Sequence, residues 1–228
     1  MDFREILAKF AVVRKCLKTN QPLTFWLIPN MGQDFEELKQ LMRLECDMKP
    51  SDEVLNSLLA LGETMEYDSE EIVVEAGAIS PYIFIVKEGI LSISDMDGTK
   101  ERTVAFACPG TICTSKFSFV KQQPSYYQIE ACCKTVLIRI SRDRFMQWAR
   151  QSHEGTIWFM HLWLEELYYM EHNNSTVHNG TGRERLIALH RTRPEILGKV
   201  MQKKLASYLG ITPEYLCRIK KKLLKNQK

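Results

Sequence analysis

The 228-residue chain has no histidine before His153, no Cys-x-x-Cys pair and no long uninterrupted apolar run. Each absence removes a class of function. Metal-dependent barrel enzymes place about three histidines and a carboxylate on their strands, yet His153, His161, His172, His178 and His190 all follow the strand-rich region described below. His161 and Glu165, four apart, read as a surface pair on one helical face. Seven cysteines is an odd number without metal-ligand spacing, and adjacent Cys132 and Cys133 would point to opposite faces of a strand. They read as reduced thiols in a cytoplasm, with no metal site. The opening MDFREILAKF mixes acids with apolar residues and reads as neither signal peptide nor membrane span. No Ser/His/Asp order, Cys/His pair or phosphate-binding glycine loop stands out, so no catalytic residue is assigned and a non-enzyme is expected.

Net charge is also small, +3 overall, but it is unevenly placed. From Lys199 onward nine cationic residues face Glu214 alone, a net +8, which leaves −5 for residues 1–198. One end is suited to a polyanion. A membrane surface would call for a broad apolar face bordered by Trp or Phe, which this end lacks, so nucleic acid is the expected partner.

The same end, QKKLASYLGITPEYLCRIKK from Gln202, has the pattern of two helices across a tight corner. Leu205, Ala206 and Leu209 share one side of the first, Gly210 permits the corner, and Thr212 and Pro213 suit the cap and first position of the second. Leu216, Ile219 and Leu223 continue the apolar stripe, and the small Ala206 allows close crossing. This is a helix-turn-helix pattern. On its outward face Glu214, Arg218, Lys221 and Lys225 align at helical spacing. Arg can fork onto guanine, Glu can accept from cytosine, and Lys can hold phosphates.

Upstream, Phe3, Ile6, Leu7, Phe10 and Leu17 suggest a first helix. A second is expected from Asp34 through Met42 and a third from a Ser51 cap through Leu59. Short β-rich runs then follow: 72–74, 82–86, 90–94, 103–106, 126–130 and 135–140. Gly77, Gly89, Asp97-Gly98 and Pro109-Gly110 separate them, predicting an antiparallel sandwich or jelly roll. Ser141 caps a helix with Phe145 and Trp148. A longer helix carries Ile157, Met160, Leu164 and Leu167 at three- and four-residue steps, with Trp158, Leu162, Trp163, Tyr169 and Met170 on its other sides. A helix apolar all round needs two covers, here a barrel and a second copy of the chain. The polar stretch from His172 to Gly182 reads as a hinge, and Thr181 with Glu184 is a capping box opening a helix with Leu186, Ile187 and Leu189.

This order of parts resembles the Crp/Fnr family of bacterial transcription regulators. The resemblance is carried by PYIFIVKEG ending at Gly89, the Asp97-Gly98 hairpin, Pro109-Gly110, RERLIALHRTRPEIL from Arg183 and KKLASYLGITPEYLCRIKKKL from Lys203. It covers residues 35–228 and is most specific at the end. It implies an α+β fold: a helical extension (1–34), a cyclic-nucleotide-binding-like jelly-roll sensor (35–150), a dimerisation helix (151–172), a hinge (173–182) and an all-α head (183–228). It also implies a cytoplasmic homodimer that reads double-stranded DNA in successive major grooves about 34 Å apart, and contacts RNA polymerase if it activates.

By that resemblance Thr212, Pro213, Glu214, Cys217, Arg218, Lys221, Lys222 and Lys225 face DNA. Gly110, Thr111, Ile112, Cys113, Ser125, Tyr126 and Tyr127 surround the effector, and Ile157, Met160, Leu164 and Leu167 form the dimer seam. Cyclic-nucleotide-binding relatives carry a Glu for the ribose and an Arg for the phosphate, where PGTICTSKFSFVKQQPSYYQIEA has Thr111 and Ser125. A cyclic phosphate would lack its cation, so tight cyclic-AMP binding is not expected; Lys116 or Lys121 would be a poorer clamp. An apolar effector against Phe117, Phe119, Tyr126 and Tyr127 is the alternative ligand. Cys16 and Cys46 are too separated for the cysteine cluster of oxygen-sensing relatives, and no cofactor is expected. Two further readings remain: a ligand-independent DNA-binding dimer with a degenerate pocket, and a barrel-fold small-molecule-binding protein or enzyme.

Overall fold

The computed structural model of the chain describes residues 35–97 and 100–225, leaving out the side chains at 97, 100, 169, 172–179 and 223–225. The expected first helix, Cys16, the Asp97-Gly98 turn and the Tyr169, Leu223 and Lys225 side chains lie outside what is described. Two helices, α1 (Phe35–Leu44) and α2 (Asp52–Leu59), lead into eight strands: β1 (Glu63–Tyr67), β2 (Ile72–Val74), β3 (Tyr82–Glu88), β4 (Leu91–Asp97), β5 (Lys100–Ala107), β6 (Ile112–Cys113), β7 (Tyr127–Ala131) and β8 (Thr135–Ser141). A short α3 (Lys116–Lys121) separates β6 from β7. Helices α4 (Arg142–Gln151), α5 (His153–Asn179), α6 (Gly182–Thr192), α7 (Ile196–Lys199), α8 (Gln202–Tyr208) and α9 (Pro213–Lys225) complete the chain.

The strands form two antiparallel four-stranded sheets, ordered β1-β8-β3-β6 and β2-β7-β4-β5. This is the predicted jelly roll. Central strand β3 lacks polar alternation because both its faces are covered. In β3, Phe84 and Val86 point between the sheets with Leu91, Ile129 and Leu137. Ile83 and Ile85 point outward, pair with Ile140 and Ile138 of β8, and meet the helices. Those helices supply Leu38 and Met42 from α1, Leu55 and Leu58 from α2, Phe145 and Trp148 from α4, and Trp158 and Phe159 from α5. Phe145 centres an aromatic cluster, its ring centroid 4.6 Å from Phe159, 5.7 Å from Trp148 and 5.8 Å from Phe119. Burial of each such side chain contributes about 1.5–3 kcal/mol. This anchors the start of α5 on the barrel.

Four elements depart from the sequence reading. Strands β1 and β6 were not anticipated: ETMEY is mostly exposed and two-residue β6 is too short to show a period. Helix α3, a turn and a half long, lies in a segment for which no element was anticipated. The stretch 173–182, read as a hinge, is helical through Asn179, and the backbone breaks only at Gly180 and Thr181. The capping box at Thr181 forms as expected, with Thr181 Oγ1 accepting from the Glu184 N–H and the Glu184 carboxylate accepting from the Thr181 N–H.

Candidate nucleic-acid interface and sensor pocket

The head comprises α6 to α9 around one core of Leu186, Leu189, Ile196, Val200, Leu205, Ala206, Leu209, Leu216 and Ile219. Helix α8 ends in a Schellman arrangement: the Gly210 N–H donates to the Ser207 carbonyl and the Ile211 N–H to the Ala206 carbonyl, both at 3.0 Å. Gly210 takes φ +61°, which a Cβ would strain. Ala206 is buried at the α8–α9 crossing. Thr212 then caps α9 by accepting from the Tyr215 N–H at 3.2 Å. The helix-turn-helix pattern is thus realised residue by residue.

Of the expected DNA-facing residues, Thr212, Pro213, Glu214, Arg218, Lys221 and Lys222 are exposed and Cys217 is half-buried, while the Lys225 side chain lies outside the described residues. The Arg218 guanidinium sits 5.4 Å from the Tyr215 ring centroid, one helical turn away. Hydrogen bonds from the Glu214 N–H and the Thr212 hydroxyl hold the Glu214 carboxyl below its ordinary value.

The residues expected around an effector are distributed over several surroundings. Gly110, at φ +93°, lies so close to α1 that a Cβ would stand 2.7 Å from the Leu41 Cβ. Ile112 packs toward the helices, whereas its neighbour Cys113 points between the sheets. Burial pushes the Cys113 thiol up to about 12, leaving it protonated and inert near neutrality. Ser125 is buried, with its hydroxyl 2.7 Å from Ser115 Oγ and 2.6 Å from the Tyr127 carbonyl, and it accepts from the Tyr127 N–H at 3.1 Å. Tyr126 is 61% exposed and lies against Phe117 at 4.6 Å, and Phe119 belongs to the helical core. The four aromatics expected to line a pocket therefore do not converge. Lys116 pairs with Glu166 of α5, and Lys121 is exposed.

Along α5, Ile157 is half-buried, whereas Met160, Leu164 and Leu167 are 51%, 52% and 54% exposed. Trp163, Tyr168 and Met170 widen this apolar face. Trp158 and Phe159 occupy the barrel side of the same helix.

A further set of residues, announced by no local pattern, joins head to barrel. The Lys204 ammonium, at the start of α8, is 2.8 Å from Glu101 on β5, 3.0 Å from Glu130 on β7 and 3.2 Å from Ser92 Oγ on β4. Beside it the Thr103 N–H donates to Ser207 Oγ at 3.0 Å, and the Phe106 and Tyr208 rings meet at 5.1 Å. Ile90, Cys108 and Cys132 of the barrel share the head's core. Burial acts to lower the Lys204 pKa, but hydrogen bonds to Glu101 and Glu130 overcome it and raise the value. At another edge Arg193 binds Glu45 at 2.9 Å, and the Thr111 hydroxyl donates to the other Glu45 oxygen at 3.2 Å. The Glu45 charge holds the Arg193 pKa above its ordinary value. Lys204, counted above among cations available to a polyanion, is instead committed inside the protein.

Among the described residues no group of histidines, cysteines and carboxylates is placed to hold a metal, and no helix is long and apolar enough to cross a membrane.

Residues 64–152 match the cyclic nucleotide-binding domain family. No curated protein matches the chain. Among solved structures the chain is similar to a CooA mutant from Carboxydothermus hydrogenoformans, with 17% identity, 81% of this chain and 88% of that one covered, and a TM-score of 0.61. It is similar to FixK2 from Bradyrhizobium japonicum, at 18% identity, 73% and 86% coverage and a TM-score of 0.59. It also resembles CLP, a c-di-GMP responsive global regulator of Xanthomonas campestris, at 16% identity, 78% and 93% coverage and a TM-score of 0.57. The fold is that of the Crp-like regulators: a cyclic-nucleotide-binding jelly roll followed by C-terminal helices.

Proposed function

We propose that the chain is a homodimeric, sequence-specific DNA-binding transcription regulator of the Crp/Fnr type, acting in the cytoplasm and not as an enzyme. Its barrel would sense an effector other than cyclic AMP. One observation carries the reading: α9, fixed by the Gly210 corner and the Thr212 cap, presents Arg218, Lys221 and Lys222 to solvent at the cationic end of the chain. Arg218 would read a base edge and the lysines would hold phosphates. The exposed face of α5 supports pairing with a second copy, which would place two such helices on one pseudo-palindrome. RNA polymerase would be a partner if the regulator activates.

Selection of bound fragments from genomic DNA tests this directly. The expected product is an inverted repeat with fixed spacing, bound less tightly as salt rises because neutralised phosphates release counterions. Indifference to every duplex at low ionic strength, with and without cell extract as a source of effector, overturns the proposal.

A second reading, a regulator that needs no ligand, is favoured by Ser125. Where a cyclic phosphate would need a cation there is a buried hydroxyl whose partners are already supplied by Ser115 and Tyr127. Native mass spectrometry of freshly purified protein separates the two readings by the presence or absence of a retained small molecule.

A further inference from the structure

Between α5 and α6 the backbone leaves helical geometry only at Gly180 and Thr181, so this short link does not by itself determine how the head sits on the barrel. Noncovalent contacts must do so, and the most directional are two ionic pins at separate places. At the first, the Lys204 ammonium has three donors and three acceptors within 3.2 Å, contributed by three strands of one sheet. Lys204 is only 4% exposed. At the second, Arg193 of the head meets Glu45 in the segment that follows α1. Between them lies an apolar patch of Phe106, Tyr208, Ile90 and Cys108.

These two kinds of contact do different work. An apolar patch favours burial but tolerates sliding, since dispersion and hydration have little directional content. A buried ion pair contributes little net stability over an apolar replacement, because desolvation offsets the attraction, yet its hydrogen bonds are satisfied in one orientation only. Two pins at separate points also block rotation about either one. The reading face is not covered by this docking: Pro213, Glu214, Arg218, Lys221 and Lys222 remain exposed.

We infer that Lys204, with Glu101 and Glu130, is a positioning element that fixes the angle of the head on the barrel and thereby sets the single half-site spacing that a dimer reads. This rests on the DNA-binding, dimeric reading above. A rigid head on each barrel gives the pair of recognition helices one separation. A head released from its pins reaches several.

The test uses the full-length protein and a series of duplexes carrying the selected half-site as an inverted repeat, with the spacing changed one base pair at a time. For wild type, a wrong spacing forbids simultaneous engagement and lowers affinity about a hundredfold. For Lys204→Met, and for the barrel-side double variant Glu101→Gln/Glu130→Gln, the same change is expected to cost less than about tenfold, while binding to a single half-site stays unchanged. Lys204→Arg, which keeps charge and donors, is expected to restore much of the selectivity. The double variant leaves the head's own sequence intact, so a defect in folding of the helix-turn-helix is separable from a loss of orientation. Variants that stay dimeric and keep wild-type spacing selectivity overturn the inference, as does an equal loss on every duplex, the single half-site included. Wild-type protein that ignores all duplexes instead overturns the DNA-binding reading on which this inference rests.

Discussion

Arg193 on the head and Thr111 at the barrel's glycine turn meet on the two oxygens of one carboxylate: Glu45 accepts from Arg193 at 2.9 Å and from the Thr111 hydroxyl at 3.2 Å. Thr111 of the barrel is thus one hydrogen-bonded carboxylate away from the C-terminal head. Arg193→Met would keep much of the side chain's volume but leave a half-buried Glu45 without its cation. The expected loss is about 1–3 kcal/mol in urea unfolding, and an unchanged midpoint would show that the pair is energetically idle.

Arg218 is the residue expected to read sequence. Arg218→Ala should cost about 1–3 kcal/mol on the selected site and relax preference at one base position. Lys221→Ala should weaken all duplexes alike and reduce the salt slope by about one. An equal loss for Arg218→Ala on random and selected DNA would assign its guanidinium to phosphate instead.

Leu164 is 52% exposed on α5, so replacing it costs the single chain little. Leu164→Glu should change the stability of one chain by no more than about 0.5 kcal/mol. In a dimer seam, however, it places two carboxylates in an apolar contact. Sedimentation should then show wild-type dimers and variant monomers of unchanged helicity; monomeric wild-type protein would remove the seam.

The Lys204 pin has a defined pH window. Burial acts to raise the Glu101 pKa, but hydrogen bonds from Lys204 and Ser94 prevail and hold it below its ordinary value. A carboxyl lowered on folding contributes stability that is complete above the ordinary carboxylate range and vanishes as pH falls through the lowered value. Lys204, raised on folding, contributes fully below the ordinary ammonium range and loses that contribution as pH climbs through its raised value. The stability difference between wild type and Glu101→Gln should therefore be flat between about pH 6 and 9 and shrink below about pH 4. A difference that grows on acidification contradicts this assignment.

Cyclic AMP should produce no binding heat at low-micromolar concentration. Ser125 supplies no charge to a phosphate, and its hydroxyl already has partners in Ser115 and Tyr127. A low-micromolar dissociation constant in calorimetry would require a cation from elsewhere, with Lys121 as the first position to mutate.

The elements legible in the sequence were those whose signals are local. The Gly210 corner, the Thr212 cap and the Thr181–Glu184 capping box are fixed by neighbours within three or four residues, and each formed as read. The run YIFIV was legible as a strand, and its lack of alternation follows from cover on both faces. Strand β1 was illegible because ETMEY is held by pairing with β8, more than sixty residues away, rather than by its own pattern. The expected sensor residues were sequence neighbours, but Ile112 and Cys113 point to opposite faces of one strand and Tyr126 points to solvent.

What the chain by itself determined is most of the helices and strands, the corner and caps of the C-terminal helix pair, and which end carries the cationic face, since those follow from spacing, caps and charge along a few turns. Only the tertiary structure decided that Lys204 is withdrawn from that face into a cage of Glu101, Glu130 and Ser92, and that Arg193 meets Glu45. These partners are separated by 103, 74, 112 and 148 residues. No local period records such distances; they are set when two independently patterned units dock and buried charges must find their counterions.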